Sequence, residues 1–312
     1  MKCIYIYNPK SGRQRNTKIK DLVVKTLKTK FDCVDAFSTK QRGDAGSLAK
    51  SACGKYDVLV VSGGDGTVNE VINAIANEEN RPQIGYIPTG TVNDLAHSIG
   101  IPINVKKALK IILDGHTIEH DIFKINDRYG IYISGFGLFT ALSYTADQTS
   151  KKILGKLAYY IYGIKELGSA QKTPTVITTD MLKIEEDIIL GLIVNSKSVG
   201  GYKIDKMADC SNGYVNVILF KESKKKGISL KMFFNIVRLM FFGINVLKNS
   251  KNCIIMKLNK FSVTIPENTA VNIDGEKGLH GSFDFEILNK HVQIFVKEKE
   301  NNKIKKNNKT NQ

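Results

Sequence analysis

Directly behind the apolar run Val58–Val61 the chain reads Ser62-Gly63-Gly64-Asp65-Gly66-Thr67-Val68-Asn69-Glu70. A buried strand that passes at once into three glycines around an acid, and then into a helix start, leaves few folds open. Gly63, Gly64 and Gly66 can take positive φ and let backbone N–H groups approach a ligand closely. Thr67 and Glu70 give the T-x-x-E pattern of a capped helix N-terminus, a natural seat for an anion. Asp65 would repel a bare polyphosphate, so a Mg²⁺ ion or one of its waters is expected to stand between them. The segment implies chemistry on a metal-bound nucleotide. An ordinary turn seldom needs three glycines around an acid immediately after a buried strand.

The surrounding pattern says what carries this turn. Short apolar runs (Cys3–Tyr7, Cys33–Phe37, Val58–Val61, Ile84–Ile87) alternate with helix-period segments, among them Thr17–Lys30, with Ile19, Leu22, Val23 and Leu27 on one face. Further helices are expected near Ala45–Cys53 and from Thr67. Such alternation predicts a parallel sheet covered by helices, with ligands beyond the carboxyl ends of its strands. After about Asp121 the texture becomes β-rich, with strands expected at Ile188–Val194, Val215–Phe220, Ile254–Ile265, Ala270–Asp274, Phe283–Leu288 and His291–Val296. Helical stretches at Ile153–Leu167 and Leu230–Leu247 interrupt it, and Pro174 and the charged run 222–226 mark loops. The expectation is an α/β chain: an N-terminal doubly wound parallel-sheet nucleotide-binding domain over 1–125 and a mainly antiparallel β-sandwich domain over 126–297. A basic tail follows over 298–312, and the segment near 290–298 is a candidate to pack back onto the first domain.

Two more loops share the geometry of the glycine-rich turn. Asn8-Pro9-Lys10-Ser11-Gly12 follows the first strand and offers a cation, a hydroxyl and a pliant backbone. Ile87-Pro88-Thr89-Gly90-Thr91-Val92-Asn93-Asp94 ends another strand, and its T-x-x-D pattern, Thr91 to Asp94, reads as a helix cap that complements the dipole. There is no G-x-x-x-x-G-K-[ST] and no G-x-G-x-x-G, which excludes a P-loop enzyme and an ordinary dinucleotide fold.

The net charge of +16 favours an anionic partner, yet much of it lies in the polar tail from Lys297 to Lys309. With no reading motif and no aromatic-interleaved basic face, a nucleic-acid partner is not expected. The cysteines at 3, 33, 53, 210 and 253 form no C-x-x-C pair, as suits unpaired thiols in a reducing cytoplasm. No apolar window reaches the length of a membrane span.

NPKSG, GGDGTVNE and PTGTVNDLA together resemble the diacylglycerol kinase catalytic-domain family, which includes bacterial soluble lipid kinases and sphingosine kinases. The resemblance runs from Lys2 to about Val296, through Asp121, Leu154–Tyr159 and Asp274-Gly275-Glu276. It implies an ATP-dependent, Mg²⁺-requiring kinase of a lipid hydroxyl, with diacylglycerol the default acceptor. ATP would contact Asn8, Pro9, Lys10, Ser11, Gly12, Thr39, Gly64, Asp65, Gly66, Thr67, Val68, Asn69, Glu70 and Thr91. Asp65, Asp94 and Asp121 would line the catalytic crevice, and Glu276 would be the general base. A second, structural Mg²⁺ would lie on Asp209, Asn212 and Tyr214; this chain departs from the family's Asp-Asp-Gly there, and Asn212 supplies a carbonyl oxygen in place of a carboxylate, weakening the site. GGDGT is shared with NAD kinases, so an NAD kinase stays open as the alternative enzyme, and a catalytically silent nucleotide-binding lipid sensor as the alternative outside enzymes.

The segment Lys224–Lys251 is apolar and carries Phe233, Phe234, Phe241 and Phe242, interrupted by Lys231, Asn235 and Arg238. It suits either a helix packed on the β domain or one lying at an anionic membrane surface. The expected setting is cytoplasmic, peripherally associated with the inner face of the membrane, and a homodimer is left open.

Overall fold

The computed structural model describes residues 1–9, 11, 17–138, 171–205, 208–221, 229–298 and 300. The expected helix Ile153–Leu167 and the basic run 222–226 lie outside them. The chain divides into two compact units. The first gathers the described residues of 1–122, 209–213 and 288–300; the second holds those of 123–208 and 214–287.

The first unit is the parallel α/β layer. Strands β1 (Lys2–Tyr7), β2 (Cys33–Ser38), β3 (Val58–Gly63) and β4 (Gln83–Pro88) lie in the order β2-β1-β3-β4, every neighbour parallel. β3 is buried at every position, as its unbroken apolar run requires of a strand covered on both faces. Helices α1 (Thr17–Leu27), α2 (Asp44–Ala52), α3 (Asp65–Ile75), α4 (Asp94–Ile99) and α5 (Val105–Asp114) connect and cover the strands. Val23, Leu27, Val58, Val60, Leu109 and Ile112 share one core cluster with Phe295, which returns from the far end of the sequence. Asn104 caps α5 by accepting the Lys107 N–H at 3.1 Å, and Gly115 ends it in the left-handed conformation.

The second unit is built on antiparallel pairs. β7 (Ile133–Gly137), β8 (Thr173–Thr178), β9 (Lys183–Val194), β10 (Val215–Lys221), β11 (Cys253–Leu258), β12 (Lys260–Thr264), β13 (Ala270–Ile273) and β14 (Glu276–His280) join antiparallel neighbours, and β6 (Arg128–Gly130) pairs with the end of β5 (Thr117–Ile125). Phe123, Phe261 and Phe285 stack in its core. A second cluster holds Met232, Ile236 and Leu239 of helix α6 (Leu230–Phe242) against Ile189, Ile218 and Phe220. The last strand, β15 (Phe283–Phe295), pairs with β12 through Phe283–Glu286 and, at Ile294, runs parallel to β4 at Ile84.

Several elements differ from expectation. The single strand expected over Ile254–Ile265 is two, broken at Asn259, whose side chain takes the Lys260 N–H at 2.9 Å and whose carbonyl takes that of Ile287 at 2.8 Å. The expected helix Leu230–Leu247 stops at Phe242, because Gly243 has φ 82° and ψ −177°; a 3₁₀ turn, Ile244–Leu247, follows. Phe283–Leu288 and His291–Val296 are one strand. Pro174 lies within β8, opposite Asp187, at a stretch where the pairing of β12 with β8 has not begun, so its missing N–H costs no ladder bond on that side. Among the described residues, no helix is long and apolar enough to cross a membrane.

Candidate active site

Because β1 to β4 run the same way, their carboxyl ends collect the loops that the sequence singled out. Backbone bonds tie these loops together. Asn8 donates its N–H to the Ser62 carbonyl, Thr39 to Tyr7 and Thr89 to Gly63, each at 2.9 Å. The hydroxyls of Ser11 and Thr89 lie 2.7 Å apart. Asn8, Ser11, Thr39, the β3 turn and the β4 turn therefore form one cluster. Pro9 and Thr91 are exposed near it, and Lys10 and Gly12 lie outside the described residues.

The glycines serve a different purpose from the one expected. None of Gly63, Gly64 and Gly66 has positive φ. What they allow is close approach: a Cβ on Gly90 would stand 2.4 Å from the Gly64 Cα, and one on Gly63 would stand 2.5 Å from the Thr67 side chain. Two bare backbones meet at the carboxyl ends of β3 and β4. The capping expectations are corrected too. Helix α3 begins at Asp65 with Gly64 as its N-cap, so Thr67 and Glu70 lie inside the helix. Helix α4 is entered through Asn93 in the left-handed conformation, φ 56°, with Thr91 upstream and Asp94 as first helical residue. Neither N-cap is made by a side-chain bond.

Asn93 has another task that the sequence reading missed. Its Oδ1 accepts the Gly90 N–H at 2.9 Å, its Nδ2 donates to the Gly90 carbonyl at 2.9 Å, and the Tyr86 hydroxyl donates to the same Oδ1 at 3.2 Å. The amide clips the β4 turn shut. An asparagine three residues past a turn glycine, where a left-handed residue is needed, was the available signal. Tyr86 is buried, and desolvation holds its phenol well above the ordinary value, with the charges of Asp65 and then Asp94 adding to the effect. Both carboxylates thus act on one phenol. Asp65 is half-buried and its Oδ1 accepts the Leu95 N–H at 3.4 Å, whereas Asp94 is buried at the start of α4. Thr67 and Val68 are buried on the first turns of α3, and Asn69 and Glu70 are half-buried, with Asn73 Nδ2 bonded to the Asn69 carbonyl at 3.0 Å.

Asp121 sits inside β5 and is fully buried. Its Oδ1 accepts the Lys290 N–H at 2.6 Å, its Oδ2 accepts that of Gly213 at 2.8 Å, and its own N–H reaches the Cys210 carbonyl at 2.6 Å. Burial raises its pKa, against the two backbone N–H bonds and His120, and nearby Asp209 raises it further. The side chain therefore anchors the loop 209–213. In that loop Asp209 Oδ1 accepts the Ser211 N–H at 3.1 Å, while its Oδ2 is buried and has no hydrogen-bond partner among the described residues. Asn212 is half-buried; Tyr214 is exposed, with Lys257 Nζ 5.2 Å from its ring centre. Among the described residues no three His, Cys, Asp or Glu side chains group as a metal site. The buried Asp209 oxygen suits a hard cation, but the remaining ligands would have to be amide or carbonyl oxygens.

Glu276 opens β14, in the second unit. It follows a two-residue hairpin loop in which Asp274 and Gly275 both have positive φ, 50° and 78°, the Asp-Gly turn that a right-twisted hairpin favours. Asp274 makes this turn rigid. Its carboxylate accepts the N–H groups of Ile131 at 2.7 Å and of Tyr132 and Ile133 at 3.0 Å each, and its carbonyl takes the Tyr132 hydroxyl at 2.7 Å. Glu276, half-buried, is thereby held on a fixed frame.

Comparison with known proteins agrees over nearly the whole chain. Residues 2–125 match the diacylglycerol kinase catalytic domain. Diacylglycerol kinases of Bacillus subtilis (strain 168) and Staphylococcus carnosus (strain TM300) are each 33% identical over 294 residues, 93% of this chain and 95% and 94% of theirs. The crystal structure of a diacylglycerol kinase from Bacillus anthracis str. Sterne superposes with a TM-score of 0.79 at 27% identity, covering 96% of this chain and 98% of that one. Another solved chain from the same organism reaches 0.84 at 28% identity. With identity at this level over this length, and with the motif residues gathered on the same parallel sheet, the chain belongs to the diacylglycerol kinase family of lipid kinases.

Proposed function

We propose that the protein transfers the γ-phosphate of ATP to the free hydroxyl of diacylglycerol, forming phosphatidic acid in phospholipid metabolism. The observation that carries this reading is the near-contact of Gly64 and Gly90 at the carboxyl ends of β3 and β4, with Asp65 and Asp94 around the same phenol. Side-chain-free backbone beside a helix N-terminus fits a polyphosphate, and the two carboxylates fit the Mg²⁺ that accompanies it. Asn8, Ser11, Thr39, Gly64–Glu70 and Thr91 would bind the nucleotide, joined by Lys10 and Gly12. Asp65 and Asp94 would hold the metal, which when bound supplies positive charge to the phosphate oxygens. Glu276 accepts the proton of the lipid hydroxyl; the freed oxygen bonds to the γ-phosphorus as the bond from that phosphorus to the ADP oxygen breaks. Asp121 fixes the loop that carries Asp209, Asn212 and Tyr214, where a second Mg²⁺ would bind. The protein works from the cytoplasm at the inner face of an anionic membrane, as a bilayer-held acceptor requires.

The test is transfer of labelled γ-phosphate from Mg·ATP to diacylglycerol, monoacylglycerol, sphingosine and NAD. Labelled phosphatidic acid is expected with the wild type. Loss of about a thousandfold or more is expected in Asp65→Ala and Glu276→Ala, with circular dichroism unchanged. Label in NAD alone would overturn the lipid assignment, and full activity in either variant would overturn that residue's role.

A further inference from the structure

Helix α6 presents two unlike faces. Met232, Asn235, Ile236 and Leu239 are buried in the second unit. The opposite face carries Lys231, Phe234, Arg238, Phe241 and Phe242, with the three phenylalanines 53%, 58% and 64% exposed. Spacings of three, four and three from Lys231 to Phe241 place these residues on one stripe of a helix. Burying this much aromatic surface is favourable, and leaving it in water is costly. The stripe is also firmly held. At the end of the helix the Ile244 N–H bonds to the Ile204 carbonyl at 2.8 Å, and Phe241 packs edge-on against Tyr202, 5.9 Å between ring centres.

Charge decides what can cover it. From Ser229 through Asn252 there is no aspartate or glutamate, while Lys231, Arg238, Lys248 and Lys251 are cationic and exposed. In a two-fold contact with a second copy through this face, cations would meet cations with no acid to pair them, a costly burial. An anionic bilayer supplies both missing halves: hydrocarbon for the rings and phosphate for the cations.

We infer that the exposed face of α6 is the surface by which the protein docks on anionic lipid bilayers, the phenyl rings entering the headgroup boundary and Lys231 and Arg238 pairing with lipid phosphates. This goes further than the lipid-kinase reading, on which it rests for its biological purpose: it assigns the docking to one helix outside the nucleotide-binding and proton-accepting residues.

Sedimentation with phosphatidylcholine vesicles containing or lacking phosphatidylglycerol tests it, comparing the full chain with Phe242→Ser and with Lys231→Glu. Wild type is expected to bind the anionic vesicles and to lose binding in high salt. Charge reversal at Lys231 should weaken binding by about tenfold or more, since each cation near such a surface contributes about fivefold. Phe242→Ser should weaken it by about tenfold. Both variants should retain wild-type turnover on a short-chain, water-soluble diacylglycerol, which needs no bilayer. Unchanged vesicle binding in both would overturn the docking assignment, as would protection of the face by concentration-dependent self-association without lipid. If wild type phosphorylates no soluble diacylglycerol yet its vesicle binding depends on these residues, the kinase reading fails and the docking surface stands.

Discussion

Gly90 has no room for a methyl group, and that exclusion says more about how the β3 and β4 turns meet than the motif's composition does. Its Cβ would collide with the Cα of Gly64, a backbone atom that cannot rotate away. Gly90→Ala is therefore expected to push the β3 and β4 turns apart. Overpacking of this kind costs about 1–3 kcal/mol, read as a lower midpoint in urea. If the displaced backbone cradles the nucleotide, as proposed, the KM for ATP should rise more than kcat falls; a normal KM with normal stability would refute the cradle. At this scale the sequence was legible where chemistry is local. The Gly-Gly-Asp-Gly turn could be placed at a strand-to-helix junction because a buried apolar run leads straight into it. Asn93 carried a signal, as an asparagine just past a turn glycine, but its bonds to Gly90 and Tyr86 were hidden, because nothing in the spacing says which way an amide faces. Asp274 was equally hidden: as part of an Asp-Gly-Glu turn it looks ordinary, and only the three N–H groups of Ile131–Ile133 reveal it as the anchor of Glu276.

Among the elements, the alternation of strand and helix was readable because strands such as β1 and β3 are short continuous apolar runs and helices such as α1 and α5 carry a 3.6-residue apolar stripe. The breaks were not, since a break is decided by one residue's bonding: Asn259 interrupts a β-period that otherwise runs on, and Gly243 ends a helix whose apolar pattern continues to Leu247. The last strand offers a pH prediction. His291 on β15 is partly buried, and its Nε2 lies 2.7 Å from the Ala76 carbonyl. Desolvation lowers its pKa from 6.5, the hydrogen bond opposes the shift, and the charge of Arg81 adds to it. Between 6.5 and the lower native value the unfolded chain binds more protons than the native one, so stability falls as pH drops through that window. Urea titrations from pH 8 to pH 5 should show this loss, and His291→Gln should flatten the profile; an identical slope in the variant would exclude His291 as its source.

For the whole molecule the decisive fact is that the first unit is assembled from three stretches of chain. Residues 1–122 supply β1–β4 and α1–α5, but β4 is paired by the end of β15, Asp121 is satisfied by Gly213 and Lys290, and the core cluster includes Phe295. A fragment ending at Ile122 is accordingly expected to lack a cooperative melt, although it contains every glycine-rich motif. Sharp unfolding of that fragment by calorimetry would show the later stretches to be dispensable. The same feature sets a timetable in the cell. The ribosome must add about 165 further residues after Ile122 before Leu288 is made, which at roughly 5–20 residues per second takes on the order of ten to thirty seconds. For that interval the nascent β1–β4 layer waits without the strand that pairs with β4 at Ile84, so the first half to be synthesised is among the last to mature.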